Sequence, residues 1–502
     1  MRAYRWSTGM AMMSTLLLAA PAMAASCTDA PRLEVSGLAV LSAGQQGYLA
    51  STLPACLQQG EEGALSRLLA AAFLQDGYPR IHVQQQPAPQ HTVKLAVRPW
   101  VVGRMESEDG RLDPAGTFPQ SSSRWLNLHE LEQGLAQLNR LSGNLVSMSI
   151  YPADEAEGVA AIRLRNDGDG RALHALLSTE LADDGRQQQG SAGATLLWDN
   201  PLGLMDGLAL SVRHTRRGVM QSAAYSLPYG YWTLAANYGE TRSQQPWVSP
   251  HFETTIDTRA SQGGLQLTRT LQRDALGYAA WRAGLQHQQV DTRFAGSRIA
   301  VQSPVISKFS LALDSEWQAG KRRLAASLAW QRGLNLGGSS QRPPQAGEAY
   351  PTAHFDKLSL TLGSTSSWAW GSYRGGLKQS LAGQYTRQPL YAAEQFSLGG
   401  PDSVRGLTRW ASAANRAASL QNTLDIDVPA VAGTQLRPFI GVDVGRSWSS
   451  GPGEESMRMA GVVAGLRMQY QALTLTLDIA KGIQPARARP GTEMNLAIHW
   501  YI

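Results

Sequence analysis

The sequence predicts a transmembrane β-barrel of 16 antiparallel strands, preceded by two small periplasmic α+β domains. Three observations lead there. From Ala172 onward the helical period disappears, and about sixteen segments alternate apolar with polar residues, each near the roughly 9–11 residues that a tilted membrane strand needs. From the fifth strand on, long polar links follow the odd-numbered segments and most even-numbered segments end in a short turn. The chain also opens with a stretch of secretory character.

That opening stretch is MRAYRWSTGMAMMSTLLLAAPAMA. Arg2 and Arg5 precede an apolar run through Leu16, Leu17 and Leu18, and Ala22 and Ala24 form an A-x-A site. Residues 1–24 therefore read as a signal peptide cleaved after Ala24. Cys27 follows closely, but the residue three before it is alanine rather than leucine, which argues against lipidation there. An exported chain whose only two cysteines are Cys27 and Cys56 most simply joins them in one disulfide, which on the chain-entropy model stabilises the first domain by about 3.5 kcal/mol. The formal charge is +6, or +4 without the leader, a modest balance that gives no case for nucleic acid as a partner. No apolar run beyond the leader approaches 18 residues, so no membrane helix is expected.

Residues 27–99 and 100–171 form the two α+β domains. In the first, PRLEVSGLAV starts as a strand. In the stretch 61–86, Leu65, Leu68, Leu69 and Ala72 share one helical face, and Gly77 is placed to end the helix. IHVQQQ and TVKLAVRPW then alternate as strands. The second domain repeats the order. A strand near Val101–Met105 leads to 125-WLNLHELEQGLAQLNRL-141, where Leu128, Leu131, Leu135 and Leu138 form an apolar stripe and Asn127 can cap the start. Two more alternating strands, VSMSIYP and GVAAIRLRN, complete it.

The barrel spans 172–502. In LSLTL, Leu358, Leu360 and Leu362 oppose Ser359 and Thr361. In LTLTLDI, Leu473, Leu475, Leu477 and Ile479 oppose Thr474, Thr476 and Asp478. In the terminal MNLAIHWYI, Met494, Leu496, Ile498, Trp500 and Ile502 share one face. Short turns are expected at 228–230, 273–274 and 318–320, and long links near 242–261, 289–304, 334–353, 386–414 and 483–493. Short inner turns and long outer loops are the arrangement of an outer-membrane barrel, and neither a β-sandwich nor a β-solenoid predicts that parity.

The sequence has no nucleophile elbow, zinc-protease motif or phosphate-binding lysine motif, no histidine or cysteine cluster for a metal, and no sign of a cofactor. It makes no positive case for an enzyme. The most unusual tract is 396-FSLGGPDSVRGLTRW-410, rich in glycine with Arg405 at its centre between Val404 and Gly406. The second is 436-LRPFIGVDVGRSW-448. Ile440, Val442 and Val444 fit a lipid face, which turns Phe439, Gly441, Asp443 and Gly445 to the lumen. An aspartate there needs a partner, and the glycines beside it clear space for something to approach. Arg405, carried by a loop folded into the lumen, can grip the Asp443 carboxylate with two hydrogen bonds. Asp443 facing a wet lumen alone is the other reading, and spacing does not choose between them.

FSLGGPDSVRGL resembles the signature of two-partner secretion transporters (TpsB; the ShlB/FhaC/HecB haemolysin secretion/activation family), which belong to the superfamily of the barrel-assembly protein BamA. LNLHELEQGLAQLNRL resembles the family's second POTRA domain, DNPLGLMDGLALS the start of its barrel, YSLPYGYW its fourth-to-fifth strand turn, and FIGVDVGRSW its inner-wall motif. The resemblance covers nearly the whole chain after the leader. It implies two POTRA domains, 27–99 and 100–171, a 16-stranded barrel, and a long sixth loop, 386–414, tucked into the lumen with Arg405 paired to Asp443. It also implies a function. The POTRA domains catch an unfolded exoprotein by its N-terminal secretion domain, and the chain passes through the barrel without ATP (type V secretion), with possible activation of a haemolysin or adhesin. Barrel-assembly machinery, periplasmic chaperones and outer-membrane lipid are the implied partners in biogenesis. Strand pairing at IHVQQQ (81–86) or MSIYP (148–152) is the expected mode of client capture.

Three departures from the family pattern carry expectations of their own. Cys27 lies three residues from the cleavage site, which leaves no room for an N-terminal plug helix, so loops must close the resting pore or leave it leakier. Leu407 stands where an aromatic is usual, which predicts looser packing. Ile502 stands where a terminal aromatic is usual. Two other functions share the fold: an assembly factor for other outer-membrane proteins, and a passive porin with periplasmic adaptor domains.

Overall fold

The structure is a computed structural model. It describes residues 30–108, 110, 112, 114–119, 125–183, 188–249, 252–341, 343, 347, 350–371, 373–431, 433–448, 456–484 and 491–502. The signal peptide and Cys27 lie outside the described residues, so the Cys27–Cys56 pairing stands as a proposal. The chain divides into two compact units, Met1–Trp100 and Val101–Ile502.

The first unit is a three-stranded sheet with two helices: β1 (Arg32–Ser36), α1 (Ala43–Thr52), α2 (Glu62–Gln75), β2 (Ile81–Gln86) and β3 (Thr92–Pro99). The sheet order is β1-β3-β2, with β1 parallel and β2 antiparallel to β3. Ser42 caps α1 by accepting from the Gln45 N–H. Gly77, at φ 88°, takes the left-handed conformation just past α2. Leu49, Leu65, Leu69, Phe73 and Val97 fill the core between helices and sheet. The outer edge of β1 is occupied by the segment 55–57, whose Ala55 carbonyl accepts from Leu33 N–H and whose Leu57 N–H donates to Pro31. Among the described residues, β2 has no strand beyond it.

The second unit begins with a module of the same sheet order: β4 (Val101–Ser107), α3 (Leu128–Leu138), β5 (Val146–Asp154) and β6 (Val159–Asn166), arranged β4-β6-β5. Asn127 caps α3, its side-chain oxygen accepting from His129 N–H at 2.9 Å and Glu130 N–H at 3.3 Å. Leu131 and Leu138 of the apolar stripe are fully buried. Here, among the described residues, β5 is the strand without a further neighbour.

A closed antiparallel wall follows: β7 (Leu173–Asp183), β8 (Gln188–Asp199), β9 (Gly207–Thr215), β10 (Gly218–Tyr229), β11 (Trp232–Ser249), β12 (Phe252–Asp274), β13 (Gly277–Phe294), the two-residue β14 (Ser297–Arg298), β15 (Val305–Ala319), β16 (Arg322–Leu334), β17 (Asp356–Trp370) and β18 (Tyr373–Thr386). After a loop that holds the short β19 (Phe396–Leu398) and β20 (Ser412–Ala414) come β21 (Ala417–Val431), β22 (Thr434–Ser447), β23 (Arg458–Tyr470), β24 (Leu473–Gln484) and β25 (Thr492–Tyr501). β14 only folds back on the end of β13, and β13 pairs directly with β15, so the wall has 16 strands. β25 pairs with β7 and closes the barrel, which removes every exposed sheet edge. Ile502 takes part in the closure, exchanging two backbone hydrogen bonds with Ala175.

The observed turns at 230–231, 275–276 and 320–321 lie within two residues of the expected short ones, and long links at 295–304, 335–355 and 387–416 match expected ones; the link between β22 and β23 was not expected, and the expected link at 483–493 lies largely outside the described residues. The expected long link at 242–261 is instead strand. The ladder of β11 with β12 runs unbroken from Trp232↔Arg269 to Ser249↔Phe252. Its polar composition marks strand that projects past the lipid. There neither face needs to be apolar, yet the ladder hydrogen bonds persist.

Leu358, Leu360 and Leu362 of β17 are exposed together, as are Ile440, Val442 and Val444 of β22, so these rows are the lipid face. This placement predicts that Leu362→Arg destabilises the barrel by about 2–4 kcal/mol in urea refolding into vesicles. The neighbouring lumen-facing Thr361→Arg should change it by less than about 1 kcal/mol, since that face is wet. Equal costs for the two would overturn the assigned facing.

Candidate functional site

The loop between β18 and β21 turns inward and lies against the wall formed by β21 to β25. β19 and β20 pair as its stem, Phe396↔Ala414 to Leu398↔Ser412, and the tip between them carries Arg405. Gly406 at the tip has φ 85° and packs its backbone against Lys481 and Gly482 of β24, a conformation and a clearance that favour glycine.

Arg405 meets Asp443 of β22 in a forked ion pair. Nε donates to Oδ2 at 2.6 Å and one terminal nitrogen to Oδ1 at 2.6 Å, while the Arg405 backbone N–H donates to Oδ2 at 3.1 Å. The same terminal nitrogen reaches the Asn422 carbonyl at 3.2 Å and Thr423 Oγ1 at 3.1 Å on β21. Asp443 is wholly buried. Sequence reading thus named both partners, and the structure adds the β21 acceptors, which no spacing marks.

Glycines clear the wall under this pair. A Cβ on Gly441 would sit 2.6 Å from the Arg405 guanidinium, and one on Gly445 2.6 Å from Leu398. Gly461 of β23 and Gly482 of β24 complete the cradle, where added Cβ atoms would meet the Arg405 carbonyl and the Leu407 side chain. Phe439 stands beside the cradle over Gly465, with Arg467 near its ring. Val404, Leu398, Leu407 and Met459 form a closed apolar cluster. Leu407 is fully buried, in contrast to the looser packing expected of it, because Gly482 opens a socket that suits a branched aliphatic side chain.

The family model for haemolysin secretion/activation protein ShlB/FhaC/HecB matches residues 160–468, from β6 through most of the barrel. The chain belongs to this family. A POTRA-domain model matches residues 103–152, within the module of β4, α3, β5 and β6. The hemolysin transporter protein ShlB of Serratia marcescens is 27% identical over 475 residues, covering 92% of this chain and 84% of that protein. HpmB of Proteus mirabilis, also a hemolysin transporter protein, is 24% identical over 91% of this chain and 82% of its own. In fold, the chain is similar to CdiB from Escherichia coli, with a TM-score of 0.84 at 21% identity, covering 97% of this chain and 93% of that one.

Beyond the arginine, the loop of this family member has anchors that sequence reading missed. Glu394, 3% exposed, takes one ammonium on each carboxylate oxygen: Lys308 of β15 at 2.6 Å and Lys357 of β17 at 2.7 Å. Its backbone carbonyl accepts from Lys357 and from Gln384 of β18, each at 3.1 Å. Past the tip, Thr408 donates through its N–H and hydroxyl to the Glu493 carboxylate on β25, at 2.6 and 2.9 Å. The available signal was scarcity. The chain has six lysines, and two of them sit at the starts of barrel strands among apolar and hydroxyl residues.

The POTRA module joins the barrel through α3. The buried side chains of Gln133 and Gln137 both donate to the Gly230 carbonyl in the β10–β11 turn, at 3.0 and 3.1 Å. Gln137 also reaches the Trp232 carbonyl and Thr233 Oγ1, and Arg273 of β12 donates to Gln133 Oε1 at 2.8 Å. Arg140 bonds the Met205 carbonyl at 2.8 Å and the Ser226 hydroxyl. Burial draws its guanidinium below the ordinary arginine value, and the Asp206 and Asp199 carboxylates oppose that shift. This end of the barrel, with its short turns, is the periplasmic end.

Removing one partner of a buried ion pair typically costs about 3–5 kcal/mol. Arg405→Ala and Asp443→Ala are each expected to release the loop, read as a rise in single-channel conductance. The double variant should be less than additive, and strict additivity would show that the pair does not hold the loop. Gln137→Leu removes the side-chain donor of the Trp232 carbonyl and one of the two donors of the Gly230 carbonyl, which keeps Gln133, at a cost of about 1–3 kcal/mol. Spin labels on α3 and β11 are expected to report a broader distance distribution in that variant.

Proposed function

We propose that the chain is an outer-membrane exporter of the two-partner type, which receives an unfolded partner protein at its periplasmic modules and passes it through the barrel without ATP. One observation carries this reading. A loop held by a buried ion pair lies against the inner wall of a barrel whose opposite, short-turn end is hydrogen-bonded to a POTRA helix. A passive porin has no use for a docked receiving module, and the relatives of the chain include hemolysin transporter proteins.

In this mechanism the first unit, with the same sheet order as the POTRA module, acts as the first POTRA domain, and the Cys27–Cys56 disulfide braces it. The outer strands β2 and β5 offer backbone donors and acceptors to an extended client segment. Strand addition needs no fixed side-chain pattern, which suits an unfolded substrate. The Arg405–Asp443 pair is a lock on the loop: intact, it keeps the tip on the glycine cradle, and its release frees cross-section for the passing chain. Glu394 retains the loop base, so the loop swings rather than leaving the barrel. Periplasmic chaperones and the barrel-assembly machinery serve the biogenesis of the barrel itself. The client is a secreted protein with an N-terminal secretion domain, of the haemolysin or adhesin kind.

The test is secretion of a co-expressed client. Photo-crosslinking residues at Ser149 in β5 and Gln84 in β2 are expected to capture the client's N-terminal domain, while one at the lumen-facing Thr361 on β17 captures it only during transit. Arg405→Ala should reduce secretion at least tenfold at equal barrel abundance. Normal secretion by that variant would refute the lock. A broad loss of other barrels on depletion of this chain would favour an assembly factor instead.

A further inference from the structure

The outward face of β10 to β13 carries a cluster of arginines where it leaves the apolar band. Its facing follows from the ladder. Ala236, Leu265, Leu285 and Phe309 are neighbours in one lateral row, with Leu265 and Leu285 exposed, which marks the row as lipid-facing. Three steps of two residues along the same face, the row reads Arg242, Arg259, Asp291.

The height of that row is set by strand geometry. At the periplasmic end the same face carries Trp232, Arg269 and Trp281, with the indole rings 5.4 Å apart and the Arg269 guanidinium 5.1 Å from the Trp232 ring centre. This is an interfacial girdle. Arg242 lies ten residues further along β11. At about 3.3 Å per residue and a tilt near 40°, that is a rise of about 25 Å, the height of a barrel's apolar band. Arg242 and Arg259 therefore emerge at the outer head-group level.

There they line an open cavity of about 910 Å³ together with Arg216, Arg217 and Arg293. Acids balance the cluster only in part. Glu240 is shared between Arg242 at 2.6 Å and Arg259 at 2.9 Å, Asp291 pairs with Arg293 at 3.0 Å, and Asp257 on the same lining is the third acid against five arginines. Both shared arginines keep 62% of their side-chain surface exposed. Arg216, in the β9–β10 turn, is exposed. Exposed forked donors around a concave surface suit phosphate oxygens.

We propose that this cavity binds the phosphates of an anionic outer-leaflet glycolipid of the phosphorylated disaccharide (lipid A) class. The apolar rows directly below it supply the reason to choose a lipid over a soluble phosphate: a head group held by Arg242 and Arg259 places its acyl chains along Leu265 and Leu285. The inference rests on the outer-membrane reading and is independent of which client is exported.

The test uses the purified full chain in detergent, freed of lipid, and titrates diphosphorylated lipid A, dephosphorylated lipid A and inorganic phosphate. The wild type is expected to bind the diphosphorylated lipid at least tenfold more tightly than the dephosphorylated one. The triple variant Arg216→Gln, Arg242→Gln, Arg259→Gln should bring that ratio to within twofold. Arg322→Gln with Arg323→Gln, at the periplasmic end of β16, should leave it unchanged. A heat-dependent gel shift reports the folded barrel for every variant, so a failure of the fold is distinguishable from a failure of lipid recognition. Equal affinity of the wild type for both lipids, or a preference retained by the folded triple variant, would overturn the proposal. So would displacement of the lipid by millimolar inorganic phosphate, which would assign the cavity to a soluble anion.

Discussion

The inner wall of this barrel holds a carboxylate with no exposure to solvent, and most of the lumenal architecture follows from the need to neutralise it. A charge removed from water is tolerated only with a partner of good geometry and with its remaining oxygen lone pairs engaged. Asp443 meets both conditions through one residue, because Arg405 supplies a forked guanidinium and a backbone N–H. Two elements far apart in sequence are thereby held in one register, since an arginine fork satisfies both oxygens only over a narrow range of positions.

The same constraint explains the glycines. For the fork to reach Asp443, the loop backbone must come within contact distance of the strands, and any Cβ at Gly441, Gly445, Gly461 or Gly482 would occupy that space. The loop in turn fills the cradle with Leu398, Val404 and Leu407, so the ion pair sits beside a small dry cluster rather than in open water. Glu394 repeats the device at the loop base with the charges reversed, one carboxylate between two ammoniums. The loop's contacts run from β15 round to β25, about half of the wall. The loop is thus held at three separate points, Glu394 at its base, Arg405 at its tip and Thr408 just past it.

Much of this was legible in the sequence, and the gaps have physical causes. Period-two alternation over Leu358–Leu362 and over Ile440–Val444 revealed both the strands and their facing, because lipid demands an apolar residue at every second position. The same rule failed at 242–261. Beyond the bilayer it no longer applies, so polar strand and polar loop look alike, although the ladder from Arg242↔Arg259 to Ser249↔Phe252 is complete. Asn127 announced the start of α3, since a cap is a local interaction. Gln133 and Gln137 did not announce the joint to the barrel, because their acceptors lie in a turn more than ninety residues away.

By itself the sequence determined what depends on local pattern and on residue type: an exported chain, two small α+β modules, a barrel, and a glycine-rich loop with an arginine in want of an acid. Only the tertiary structure decided which contacts those groups make. The Leu407 socket exists because Gly482 arrives from another strand. The Glu394 anchor exists because Lys308 and Lys357 stand two strands apart in a closed wall. The outward arginine cavity exists because four strands bring their rows to one height. Each of these is a coincidence of position between distant segments, set by ladder register and barrel closure, which no single stretch of the chain encodes.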